Sequence, residues 1–572
     1  MASRILQGVA RLRAAVRALP RPTSGVAGLT LVVALFISLF LNTVFWKAVI
    51  AEADIGVARN LGFGLALAAA MVGFFVLLIS LFGVRYVFKP AIVALLLIGS
   101  VASYFMSTYG VVIDDTMIHN MLETDRGEAS GLFSFSLVWH LLLTGVLPAL
   151  VVCVWRVRYR PFWREAGLRM LTVGLAVAVL GVSVYSHYKD FSLVLRQNRE
   201  LRYLVNPTYP IYAALETLTQ TAEAADRSVT PLGTDAHQQL RAGAPRRVVI
   251  VVVGETARAA NFSLDGYDRD TNPRLSQRDL VNFTDFSSCG TSTSVSVPCM
   301  FSRQDRRHYD GTDARYSQGL LDVLTHAGVK VLWRDNNSGC KGVCDRVPSE
   351  DLSQADDPEL CRDGECFDDI LARGLAKRIA DTRGDLLVVL HQKGSHGPEY
   401  YKRYPDGFAR FTPVCESNRP QDCDRQSIIN AYDNSIVYTD AVLDNLIALL
   451  ARDAKQHGDA TALFYMSDHG ESLGEDGLYL HGFPYALAPS YQTHVPALAW
   501  LSPGFDMDRA CLAGLQDNAY SQDNLFDTVL GLFAVKTRVY QPDMDIFRAC
   551  RRTPDASKAT QTALTAGPAS PG

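Results

Sequence analysis

The sequence predicts an α-helical polytopic membrane domain of about five spans, followed by a soluble α/β domain with a mostly parallel central sheet. Three observations carry this expectation. Long apolar runs are concentrated in the first third of the 572 residues, although hydrophobic residues make up 48% of the whole. Beyond about residue 246, β-branched runs of strand length alternate with helical patterns, the signature of an α/β sandwich. Ten of the 11 cysteines lie between Cys289 and Cys550, and only Cys153 falls in the apolar third. A chain of this length divides into more than one unit. The expected division is a transmembrane domain over 1–187, bridging helices and a linker over 188–245, a catalytic domain over 246–552, and a disordered tail over 553–572 rich in Ala, Thr, Ser and Pro.

Five apolar stretches are long enough, or nearly so, to cross about 30 Å of hydrocarbon. They run from Gly28 to Phe45, Leu61 to Val84, Ala91 to Met106, Leu137 to Trp155, and Met170 to Tyr185. The first is too long for a signal peptide, lacks a convincing cleavage site and is followed by further spans. Arg4, Arg11, Arg13, Arg17 and Arg21 precede it, Arg85 and Lys89 follow the second span, and Arg156, Arg158, Arg160, Arg164 and Arg169 follow the fourth. Those basic segments should face the cytoplasm. An odd number of spans then carries the C-terminal part to the far side. Between the third and fourth spans, Asn120, Thr124 and Glu128 are spaced by four and share a helix face. Spacing alone favours a solvated helix lying on the membrane surface.

The soluble domain opens on Arg247-Val248-Val249-Ile250-Val251-Val252-Val253-Gly254-Glu255, which reads as a buried parallel strand. Similar runs recur at Val329–Trp333, Leu386–Leu390, Leu463–Met466 and Ala497–Leu501, with helical patterns at Ser317–Ala327, Ile370–Ala380 and Ile428–Ala451. Ligands in such folds gather at the carboxyl ends of strands. Glu255 ends the first run, and Ser467-Asp468-His469-Gly470-Glu471 ends the fourth, with His481 close behind. An Asp-His pair alone is commonly a surface turn. Carboxylates and an imidazole at two strand ends together suit a zinc ion. His391 and His396 follow the third run, where His391, as the first residue past the strand, reads as a structural hydrogen-bonding group.

Ten thiols in a soluble region suggest disulfides and an oxidising compartment. No repeated C-x2-C pair offers a structural zinc site instead. Pairing by neighbours would join Cys289 with Cys299, Cys340 with Cys344, Cys361 with Cys366 and Cys415 with Cys423, leaving Cys511 and Cys550, although sequence does not fix connectivity. The segment from Cys289 to Cys299 is hydroxyl-rich, and a nearby metal could lower the pKa of one of those hydroxyls. Composition does not say which. A net charge of −4 argues against a nucleic-acid partner.

Taken together these segments resemble the phosphoethanolamine transferases of Gram-negative inner membranes, the group that includes the polymyxin-resistance enzymes. The motifs behind the resemblance are Gly254-Glu255-Thr256-Ala257-Arg258, the loop ending Ser296-Val297-Pro298-Cys299-Met300-Phe301-Ser302, Asp335-Asn336-Asn337-Ser338-Gly339-Cys340-Lys341-Gly342, Ser395-His396-Gly397-Pro398 and Ser467-Asp468-His469-Gly470-Glu471. The resemblance implies an alkaline-phosphatase-like soluble domain with Thr293 as nucleophile. It implies zinc held by Glu255, Asp468, His469 and Thr293. His396 and His481 match histidines that contact the phosphoryl group or a second zinc ion, and either is a candidate general acid. Ser338 and Lys341 resemble donors to the phosphate. Asn120, Thr124 and Glu128 match residues at the substrate entrance, which reverses the plain reading of that helix face. The implied reaction moves phosphoethanolamine from phosphatidylethanolamine to lipid A, in a monomer of the inner membrane with its catalytic domain in the periplasm. Another acceptor (core heptose, Kdo or a periplasmic glucan) and phosphoglycerol transfer are the rival readings. A sulfatase is disfavoured because the loop lacks Cys-x-Pro-x-Arg, and intact Glu255, Thr293, Asp468 and His469 argue against a non-catalytic sensor.

Overall fold

The computed structural model describes residues 21–53, 61–123, 132–191, 199–224, 228–505 and 507–552. They form two compact units. One runs up to Asp115 and resumes over Phe133–Glu216; the other takes Thr116–Leu132 and everything from Thr217 onward. Thr124, Glu128 and the tail from 553 lie outside the described residues.

Among the described residues of the first unit, Leu61–Leu81, Phe88–Tyr109, Phe135–Val154 and Phe162–Ser186 are each long and apolar enough to cross a membrane. The bent pair Val26–Phe40 and Thr43–Ile50, which meet at 56°, makes a fifth if it is counted as one span. The helices expose leucine and valine outward, as at Leu65, Leu150 and Val182, which suits a hydrocarbon solvent.

The bend has an identifiable cause. A break in a helix frees backbone groups that hydrocarbon cannot satisfy, so protein must supply their partners. Asn42 donates from Nδ2 to Ile37 O at 2.9 Å and to Asn206 O at 2.7 Å, and its Oδ1 accepts from Asn206 N. Asn206 in turn donates to Leu41 O and Gly99 O. Both side chains are fully buried. Replacing Asn42 by alanine should therefore cost about 1–3 kcal/mol by stranding these groups. Thermal unfolding in detergent should show the lowered midpoint.

The second unit is built on a seven-stranded sheet. In chain order its strands are β1 (Arg247–Gly254), β2 (Val281–Phe283), β3 (Lys330–Asp335), β4 (Ser349–Asp351), β5 (Leu386–His391), β6 (Ala460–Ser467) and β7 (Ala497–Leu501). Across the sheet they lie in the order β2-β7-β6-β1-β5-β3-β4. The five from β6 to β4 are parallel, and β7 runs antiparallel to both β6 and β2. Alternate residues of β1 enter different cores. Val249, Val251 and Val253 face one, Val248, Ile250 and Val252 the other. Covering both faces is why the strand is a continuous apolar run rather than an alternating one.

Register aligns the strand ends. Ser467 pairs with Gly254, and His391 pairs with both Val253 and Asp335. The residues that follow β1, β5 and β6 thus emerge at one edge. Gly254 is required there, since a Cβ would stand 2.6–2.7 Å from the Tyr465 ring and hydroxyl. The five disulfides among the described residues join Cys289–Cys299, Cys340–Cys344, Cys361–Cys366, Cys415–Cys423 and Cys511–Cys550, the neighbour pairing.

Candidate metal and transfer site

Glu255 leaves β1 and Asp468 leaves β6, so the parallel register sets two carboxylates side by side. Thr256, the next residue, is β-branched yet adopts φ +53°, a conformation such residues avoid. That turn sends its N–H to Asp468 Oδ1 at 3.2 Å, and its carbonyl accepts from Tyr432 at 2.6 Å. Asp468 Oδ1 also accepts from His469 N at 2.7 Å. Local strain is here exchanged for a fixed carboxylate.

His469 is fully buried, and its Nδ1 lies 2.9 Å from Gly470 O. A carbonyl only accepts, so the proton sits on Nδ1 and the Nε2 lone pair is free. Nε2 lies 3.4 Å from Glu255 Oε1, 3.3 Å from Asp468 Oδ2 and 3.4 Å from Thr293 Oγ1. Thr293 opens the helix Thr293–Phe301 and donates to Glu255 Oε2 at 3.0 Å. The helix N-terminus adds partial positive charge, favourable to an approaching phosphate.

The electrostatics of this cluster are unfavourable for the protein alone. Burial, reinforced by Asp468, pushes the Glu255 carboxyl well above its usual range, and burial raises Asp468 to about 7. Glu255 Oε1 and Asp468 Oδ2 are buried with no hydrogen-bond donor. Those two oxygens and the His469 nitrogen lie within 4.8 Å of one another. An O,O,N set of this kind fits a divalent cation, with the Thr293 hydroxyl alongside.

The remaining expected residues are placed as follows. His481 stacks 4.3 Å from the His469 ring and 5.6 Å from that of His396. Burial holds the His396 imidazole well below its ordinary pKa, and His481, Lys393 and Arg403 add to the shift. Lys341 donates to Ser338 O at 3.0 Å and sits at φ +52°. Ser338 donates from its N–H to Asn337 Oδ1. Asn120 lies on the helix Asp115–Glu123, whose Met117 reaches within 3.0 Å of a Cβ built on Gly482, beside His481. His391 keeps the structural role expected of it, with Nδ1 3.0 Å from Asp335 Oδ2.

Asn337, within Asp335-Asn336-Asn337-Ser338, is a further residue of the site. Its Nδ2 donates to Glu255 Oε2 at 2.7 Å and to Gln392 O at 2.8 Å. It ties the Ser338–Lys341 loop to the carboxylate that faces Thr293. Nothing in residue type or spacing marked it out from Asn336, which instead braces Asp368.

Comparisons with known proteins place the chain in a family. A family model described as sulfatase matches residues 247–535, and one described as phosphoethanolamine transferase EptA/EptB matches 71–222. Phosphoethanolamine transferase EptA of Salmonella typhimurium is 40% identical over 548 residues, covering 94% of this chain and 99% of that protein. Phosphatidylethanolamine transferase Mcr-1 of Escherichia coli is 40% identical over 521 residues, covering 88% and 94%. Among solved structures, the integral membrane lipooligosaccharide phosphoethanolamine transferase A of Neisseria meningitidis superposes with a TM-score of 0.89 at 36% identity, over 93% of this chain and all of that one. Likeness of this extent runs through the membrane helices and the soluble sheet alike, and the chain belongs to the EptA and Mcr-1 family of phosphoethanolamine transferases.

Proposed function

We propose that this chain transfers phosphoethanolamine from phosphatidylethanolamine to a phosphate of lipid A, through a covalent intermediate on Thr293. The observation that carries the reading is the Thr293 hydroxyl, 3.0 Å from Glu255 Oε2 and 3.4 Å from His469 Nε2 at the start of a helix. Glu255, Asp468, His469 and Thr293 would hold zinc, whose presence lowers the pKa of a hydroxyl ligand and offsets charge on phosphoryl oxygens.

In the first displacement a bond forms between Thr293 Oγ1 and the donor phosphorus, and the bond from phosphorus to the glyceride oxygen breaks. The hydroxyl proton passes to Glu255 Oε2, the carboxylate oxygen it already faces. His396 or His481 supplies a proton to the departing diacylglycerol oxygen. In the second displacement a lipid A phosphate hydroxyl attacks the threonine-bound phosphorus and gives its proton to the histidine, the bond from phosphorus to Thr293 Oγ1 breaks, and Glu255 returns its proton to Thr293. Ser338 and Lys341 bind the phosphoryl group, and Asn120, Thr124 and Glu128 line the approach from the membrane.

Supporting the donor, the Mcr-1 relative is named for phosphatidylethanolamine; supporting the acceptor, the Neisseria relative is named for lipooligosaccharide. Both substrates are lipids, which gives the spanning helices a purpose. We take the chain to act as a monomer; the basic segments between spans and the five disulfides favour the bacterial inner membrane with the catalytic domain in the periplasm.

Mass spectrometry of lipid A from a Gram-negative host lacking the modification tests this. Expression should add the mass of one phosphoethanolamine. An unchanged spectrum with the protein confirmed in the membrane would reject lipid A as acceptor and point to core sugars, Kdo or glucan.

A further inference from the structure

His396 and His481 are equivalent in the sequence, yet their surroundings differ. The difference begins in backbone register. Residues Ser472–Leu473 and Tyr479–Leu480 form a two-stranded antiparallel ribbon, with Ser472 opposite Leu480 and Leu473 opposite Tyr479. The next positions outward are Glu471 and His481, which the ribbon therefore brings face to face. Leu480 holds φ +64°, a left-handed conformation costly for a bulky residue, immediately before His481. The result is a 2.9 Å contact between His481 Nδ1 and Glu471 Oε2.

Glu471 is fully buried, and its other oxygen is occupied. Tyr400, also buried, donates its hydroxyl to Glu471 Oε1 at 2.8 Å. Burial beside that carboxylate keeps the Tyr400 phenol protonated far above its ordinary range, so it stays a donor. Gly397 closes the arrangement, since a Cβ there would stand 2.8 Å from the Tyr400 hydroxyl, 3.0 Å from Glu471 Oε1 and 2.7 Å from Leu480 Cδ2.

We infer that Glu471, braced by Tyr400, is a positioning residue that fixes the ring orientation of His481 and turns its Nε2 toward the transfer site. Glu471 Oε2 engages His481 Nδ1, while Tyr400 occupies Oε1. A proton on Nε2 would then be the one passed to the departing oxygen. Outer partners that fix a histidine's tautomer commonly contribute 10–100-fold to affinity or rate. His481 is held in place by the ribbon register and by Glu471.

The inference rests on the Thr293 reading, and the test separates the two. The full-length enzyme in detergent is assayed with phosphatidylethanolamine and lipid A, recording kcat, donor KM and bound zinc. Glu471→Gln should lower kcat by about 10–100-fold while zinc content stays at the wild-type level and KM within about threefold. Tyr400→Phe should lower kcat in the same direction but less. The double variant should be no slower than Glu471→Gln, because the tyrosine acts through the carboxylate. Wild-type kcat in Glu471→Gln, zinc lost in parallel with activity, or additive effects would each overturn the inference. If Glu471→Gln fails to accumulate, Tyr400→Phe keeps the packed ring and carries the test through the same kcat and zinc readouts. Transfer surviving in Thr293→Ala would instead overturn the proposed function.

Discussion

Replacing Thr293 by alanine is expected to abolish transfer while leaving the fold standing. The hydroxyl is the atom that would bond to phosphorus, so no residual geometry compensates for its loss. Removing the nucleophile of a covalent mechanism costs on the order of 10⁴-fold or more. The structural cost is small by comparison. Thr293→Ala gives up one hydrogen bond to Glu255 and the γ-methyl group, an effect of about 1–2 kcal/mol. Thr293→Ser should retain measurable transfer, because the oxygen is kept and only a methyl is removed. Single-turnover labelling with the donor lipid checks the mechanism directly: the wild type should gain a phosphoethanolamine adduct on the peptide carrying Thr293, and the alanine variant should not. An adduct of undiminished yield on Thr293→Ala would reject the assignment.

Stability should respond strongly to metal and to pH, and that response should be lost on mutating Asp468. Glu255 and Asp468 are buried together; burial raises the cost of ionising each, and Asp468 adds to that cost at Glu255. A bound cation offsets that cost, and zinc at 1,000 times its dissociation constant would stabilise the fold by about 4 kcal/mol. Chelation should therefore lower the melting temperature of the wild type. Asp468→Asn removes one ligand charge and the repulsion together, so its zinc affinity should fall by about 100-fold or more and its melting temperature should no longer respond to chelator.

The pH dependence follows with an explicit sign. Asp468 titrates near 7 in the folded metal-free protein, above its unfolded value of 3.8. Between these values the folded state holds a proton that the unfolded chain has released. The metal-free wild type thus loses stability as pH rises from about 4 through 7, by this group's contribution. Zinc loading runs the other way and weakens as pH falls below about 7, because protons compete for the same oxygens. Calorimetry with and without chelator across this range measures both slopes. A metal-free Asp468→Asn protein with the same pH slope as the wild type would contradict the assignment of that slope to Asp468.

Much of the architecture was readable because the physical signals are strong and local. A short apolar run buried on both faces has few alternatives to a strand, and β1, β3, β5, β6 and β7 stand where such runs occur. The apolar stretches of the first third likewise coincide with the spanning helices. The three-residue strands β2 and β4 left no such mark, since a short edge strand buries too little to require a pattern. The antiparallel direction of β7 was equally invisible, because side-chain burial does not record which way a strand runs. The 56° bend of the first crossing needed Asn206, 164 residues from Asn42, to be intelligible.

The candidate site divides along the same line. The types of its ligands were legible, since Glu255, Asp468 and His469 sit at strand ends where such folds place chemistry and a motif could be recognised around them. Residue types and their spacing thus supply the inventory: membrane spans, an α/β domain, and carboxylate, imidazole and hydroxyl groups suited to a cation and a phosphate. Which oxygen faces which nitrogen is set by the folded chain. It selected Asn337 over Asn336 to hold Glu255, and Glu471 rather than any other acid to face His481. The physical reason is that hydrogen bonds depend on ångström distances between residues far apart in the chain, and those distances are fixed by sheet register and core packing, which no local pattern encodes.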